Sequence, residues 1–94
     1  MPGYSIVAKN FKLTIVTPEK IIYDGEVSSI VAPGDLGYLG ILADHAPIIT
    51  SLTTGKLELT DPNGSKNTMM ISGGFMEVVK NTATILIDST PTAS

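Results

Sequence analysis

The chain has 94 residues, 43% hydrophobic and 16% charged, with a formal net charge of −3; that is enough for one core and too little for two. Cys 0 and His 1 exclude a disulfide framework, a thiolate cage and a multi-histidine metal site. The six basic residues are all lysines, scattered from Lys9 to Lys80, which argues against a phosphate-binding surface.

In chain order, residues 1–10 read as an extension, because Pro2-Gly3 cannot join a ladder and the regular pattern begins at Phe11. They carry no secretory signal, and no apolar run reaches the ~20 residues of a spanning helix, so the sequence reads as a soluble domain facing the cytosol. Phe11, Leu13 and Ile15 alternate with Lys12 and Thr14 until Pro18 ends the strand. Residues 27–31 read as a strand with Val27, Ser29 and Val31 on one face and Ser28 and Ile30 on the other. In 56–60, Leu57 and Leu59 oppose Lys56, Glu58 and Thr60, the pattern of a half-solvated sheet face.

Asp61-Pro62-Asn63-Gly64 predicts a tight reversal between Leu57-Leu59 and Met69-Ile71, since Pro presets φ, Asn tolerates the left-handed region and Gly ends the turn. Lys80-Asn81 predicts a second reversal, between 75–79 and 83–87. Between them, Ser72-Gly73-Gly74 signals a bulge, a bend or another backbone passing close. No segment sustains a helical stripe over ten residues. The fold class is all-β, an antiparallel β-sandwich of about ten short strands over residues 11–89, followed by a polar, frayed tail at 90–94.

Few residues suggest chemistry. Asp44-His45 with Asp35 lacks a credible third metal ligand, and the histidine adjoins a turn at Ala46-Pro47, so a ring bonded to a backbone carbonyl or an interface role suits it better. No Gly-x-Ser-x-Gly elbow supports a serine triad. Gly34, Gly37 and Gly40 lack the helix N-terminus or lysine of a phosphate loop, and read as turn and bulge glycines. Asn63-Gly64-Ser65 matches a glycosylation sequon but sits in the hairpin turn. No cofactor is expected. The residues that ask for an explanation are Leu36, Tyr38, Leu39, Ile41, Leu42, Ile48 and Ile49, apolar side chains in Gly- and Pro-rich company. A sheet takes only alternate positions inward, so part of 34–52 should present an apolar patch for a protein partner.

Two blocks then become recognisable. Gly37-Tyr38-Leu39-Gly40-Ile41-Leu42-Ala43-Asp44-His45-Ala46-Pro47-Ile48-Ile49-Thr50, with Leu52 and Gly55, resembles the signature of the epsilon subunit of F-type ATP synthases. Ile71-Ser72-Gly73-Gly74-Phe75-Met76-Glu77-Val78, with 81–88, resembles that family's second block. The resemblance implies a ten-stranded sandwich in the central stalk, bound to the gamma subunit, standing on the ring of c subunits and turning with both. It implies no catalysis by this chain, and a peripheral position on the cytoplasmic face of the energy-transducing (bacterial inner) membrane. It further implies that one end, formed by the loop around Leu36, Tyr38 and Leu39 together with Ala46 to Ile49, with Thr17 nearby, faces the c-ring, and that His45 lies near gamma. The sequence departs from the family pattern at Tyr38, often acidic, and at Ala43-Asp44, where Pro-Gly is usual. Many relatives continue into a two-helix domain that binds ATP and restrains hydrolysis; here the sequence stops at Ser94, so no inhibitory helix is ascribed to it. The alternatives are a stand-alone ligand-binding β-sandwich, which aromatic content of 5% and Trp 0 disfavour, and a small hydrolase using His45.

Overall fold

A computed structural model describes residues 9–88. Most of the expected extension, Ser89 and the expected frayed tail at 90–94 lie outside the described residues. Nine strands follow one another: β1 (Phe11–Val16), β2 (Ile21–Val27), β3 (Ser29–Gly34), β4 (Gly37–Leu42), β5 (Ile48–Leu52), β6 (Gly55–Thr60), β7 (Lys66–Ile71), β8 (Gly74–Val79) and β9 (Thr82–Ile87). The described residues contain no helix.

The strands form one hydrogen-bonded path, β2-β1-β9-β8-β5-β3-β6-β7, with β4 added to β3. The ladder between β5 and β3 is a single pair, Gly34 with Leu52, so the sheet curls there into two layers. One layer is β2-β1-β9-β8-β5 and the other β4-β3-β6-β7. Every pairing is antiparallel except β1 with β9, which run parallel, Lys12 beside Thr82 through Val16 beside Leu86. Alternation explains the core. Leu13 and Ile15 of β1, Met76 and Val78 of β8, and Ile85 and Ile87 of β9 meet Ile30, Ile41, Leu57 and Leu59 of the other layer in one cluster. Each such side chain, taken fully from water, contributes about 1.5–3 kcal/mol.

The chain crosses between layers at Ser28. Residues 27–31 are therefore not one strand: Val27 closes β2, Ile30 belongs to β3, and both are buried because the alternation changes phase at the bend. The Ser28 amide and hydroxyl both donate to the Thr60 carbonyl, at 2.7 and 3.3 Å, which fixes the corner. Another crossing, between β5 and β6, is tied when Thr53 N–H donates to the Pro33 carbonyl at 2.8 Å.

Both predicted reversals form. At the first, Leu57 pairs with Met69, and the Asp61 carboxylate accepts the amides of Asn63 and Ser65 at 2.9 and 3.0 Å. At the second, Lys80 and Asn81 both have positive φ, 49° and 59°, as a two-residue turn joining right-twisted strands requires. The glycine pair resolves as close backbone passage. Gly74 has φ 157°, and a Cβ there would collide with the Leu86 carbonyl oxygen.

Candidate functional site

The register gives the sandwich two ends of different chemistry. At the first, β3 and β4 meet in a two-residue turn, Asp35-Leu36, closed by Gly34 opposite Gly37, with the Leu36 side chain fully exposed. Tyr38 stands beside it. Its hydroxyl accepts the Lys56 N–H at 3.1 Å, and its oxygen approaches Gly55 so closely that a Cβ on Gly55 would lie 2.9 Å away. The hairpin tip is thereby braced against the start of β6. Leu39 is half-buried against the core.

Thr17 belongs to the same end, following Val16 beside Leu86 near Gly74 and Asp88. Only 8% of it is exposed. Its hydroxyl accepts the amides of Glu19 and Lys20 at 3.2 and 3.1 Å, so it shapes the turn that exposes Pro18 and Glu19.

At the opposite end lie Asp44, His45 and Ala46. Asp44 takes φ 65°, in the left-handed region where a short polar side chain is tolerated. Its N–H donates to Asn81 Oδ1 at 2.6 Å, Asn81 Nδ2 returns a bond to its carboxylate at 2.9 Å, and Lys9 Nζ approaches that carboxylate at 2.7 Å. The hydrogen bond from Lys9, then that from Asn81 and the attraction of the Lys9 charge, hold the carboxyl below its ordinary range. His45 Nδ1 lies 2.7 Å from the Ala46 carbonyl, which only accepts, so Nδ1 carries the proton and Nε2 is left for solvent or a partner.

This geometry corrects the expectation that Leu36 to Leu39 and Ala46 to Ile49 form one end. Gly34 pairs with Leu52 whereas Ile48 pairs with Val78, so β5 runs the length of the layer and carries Ala46 away from the hairpin tip. Asp35 is separated from Asp44 and His45 in the same way, which dissolves the one constellation with catalytic residue types.

Ile49 is on neither end. It is 71% exposed on the outer face of the first layer, where Phe75 pairs with Leu86 and Leu86 with Val16. Two open depressions, ≈ 350 and ≈ 230 Å³, share Phe75 and Leu86 and make this face continuous from Pro18 to Ile49. The sequence reading missed it, because Met76 and Val78, and Ile85 and Ile87, already account for the core sides of β8 and β9. The available signal was Leu86, an apolar residue at a parity otherwise held by Thr82 and Thr84.

The sequence model of the family described as ATP synthase, Delta/Epsilon chain, beta-sandwich domain matches residues 10–93. The ATP synthase epsilon chain of Leptospira borgpetersenii serovar Hardjo-bovis (strain JB197) is 44% identical over 81 residues, 86% of this chain and 63% of the relative. That of Chlorobium limicola is 44% identical over 80 residues, 85% of this chain and 91% of the relative. The chain thus spans under two thirds of the first and nine-tenths of the second. Among solved structures, a chain of the Euglena gracilis mitochondrial ATP synthase, in an assembly of OSCP, F1 and c-ring, superposes with TM-score 0.83 at 26% identity, over 97% of this chain and 59% of that one.

Proposed function

This chain belongs to the delta/epsilon chain family of ATP synthases, and on that premise we propose that it is a non-catalytic rotor subunit of the central stalk, joining the c-ring to the gamma subunit. The observation that carries the reading is the exposed Leu36 on a braced hairpin tip, at the opposite end of the two-layer sandwich from His45. A two-layer sheet with one interdigitated core resists shear, because close-packed interiors have low compressibility. Torque entering at one end is therefore delivered to the other.

In this arrangement Leu36, Tyr38 and Leu39 face the c-ring, and Thr17 supports the neighbouring turn. His45 contacts gamma, and Ala46 beside it and Ile49 on the outer face are assigned to gamma as well. The domain is peripheral, on the cytoplasmic face of the energy-transducing membrane. Purified gamma titrated against the chain, alone and with the ring, tests the reading. Saturable binding with an interface of about 1,200–2,000 Å² is expected, and the absence of affinity in both titrations removes it.

A further inference from the structure

Among the described residues, three strands have a partner on one side only: β2, β7 and β4. A bare strand edge is a template for another chain, and charges on the edge strand are a common guard. β2 carries Asp24 and Glu26, and β7 begins at Lys66, but β4 reads Gly-Tyr-Leu-Gly-Ile-Leu with neither charge nor proline.

The hairpin fixes which backbone groups are free. The pair next to a two-residue turn, Gly34 with Gly37, exchanges both hydrogen bonds, and such pairs alternate along the ladder. Leu39 and Ile41 therefore bond β3, while Tyr38, Gly40 and Leu42 turn their N–H and C=O groups outward. The Leu42 carbonyl accepts from His45 N–H at 3.3 Å, in keeping with this phase. Nothing lies within 4 Å of the place a Cβ would occupy on Gly40, and Tyr38 and Leu42 on either side are 60% and 64% exposed. A strand can approach here, flanked by two apolar side chains, on a hairpin already braced by the Tyr38 hydroxyl.

We propose that the free edge of β4 receives an extended segment of the gamma subunit as an added strand. This rests on the stalk reading above; β4 runs directly into His45, so the added strand and the histidine would form one continuous contact. Specificity would come from an apolar residue of the incoming segment set against Leu42, at the end of β4 away from the hairpin tip.

Amide hydrogen exchange of the chain with and without purified gamma, together with Gly40→Pro, tests this. Proline at 40 deletes one outward donor and no bond to β3, a position an edge strand tolerates. We expect gamma to slow exchange at Tyr38 and Gly40 at least tenfold in the parent chain, and Gly40→Pro to weaken binding at least tenfold while Gly40→Ala does not. Should Gly40→Pro fail to fold, the parent's exchange decides alone. Gamma binding with unchanged exchange at these amides overturns the added strand but leaves the stalk reading standing, whereas no binding overturns both. Slowed exchange that needs only a higher concentration of the chain overturns it in favour of pairing between copies.

Discussion

Asp44 and Asn81, 37 positions apart, clasp each other across the end of the sandwich, each in the left-handed backbone region, with φ 65° and 59°. The clasp ties the loop after β4 to the turn between β8 and β9, and so sets the position of His45 relative to the first layer. It also explains how a residue other than glycine stands at φ 65°. The backbone needs positive φ there, and the Asn81 amide and Lys9 reward the side chain that supplies it.

Asn81→Gly should preserve the turn and lose only the clasp, whereas Asn81→Ala loses both. The alanine variant is expected to be the less stable of the two by about 1 kcal/mol, the cost of a Cβ in the left-handed region. Urea unfolding of both variants, compared at equal m-value, measures the difference.

The Asp44–Lys9 contact should show in the pH dependence. The folded pKa of Asp44 is depressed, so its contribution to stability is complete above the ordinary carboxylate value of ~3.9 and is lost as pH falls through the lower folded value. Lys9 is raised by the same contact, so its contribution is complete below ~10.4 and is lost as pH rises through the higher folded value. In Lys9→Ala the Asp44 carboxyl should titrate closer to the ordinary value. A carboxyl-carbon titration by NMR with no movement between the two proteins would remove the contact.

Gly74→Ala should be among the most damaging small changes in the chain. The new methyl group meets the Leu86 carbonyl oxygen and the Ile87 Cα, backbone that β8 and β9 hold in register. A loss of about 3 kcal/mol is expected. Gly40→Ala, with open space around it, should stay within about 0.5 kcal/mol of the parent. Equal thermal midpoints for the two variants would mean that β8 and β9 separate more easily than their pairing indicates.

The strands legible in the sequence were those in which one parity is apolar and the other polar. β1, β6, β8 and β9 declare themselves through Leu13, Leu57, Val78 and Ile85, and the Asp61-Pro62-Asn63-Gly64 turn fixes the β6–β7 hairpin. β4 and β5 were hidden. Gly37 and Gly40 interrupt the alternation of β4, and its apolar outward residues Tyr38 and Leu42 suggest a loop when they belong to an edge strand. The phase change at Ser28 left no local mark either, because it depends on the Thr60 carbonyl, 32 positions away. The candidate site is legible as a segment, 34–52, but not as a place in the fold. Sequence proximity joined Leu39 to Ala46, whereas the antiparallel course of β4 sends the chain to the far end between them.

Cysteine cross-linking in the assembled synthase tests the rotor reading most directly, since the chain has Cys 0 and each introduced thiol is its only one. With a short photoactivatable linker, Leu36→Cys should give an adduct with the ring subunit and His45→Cys an adduct with gamma. An adduct from Leu36→Cys to gamma, with none to the ring, would contradict the assignment of the hairpin tip to the ring.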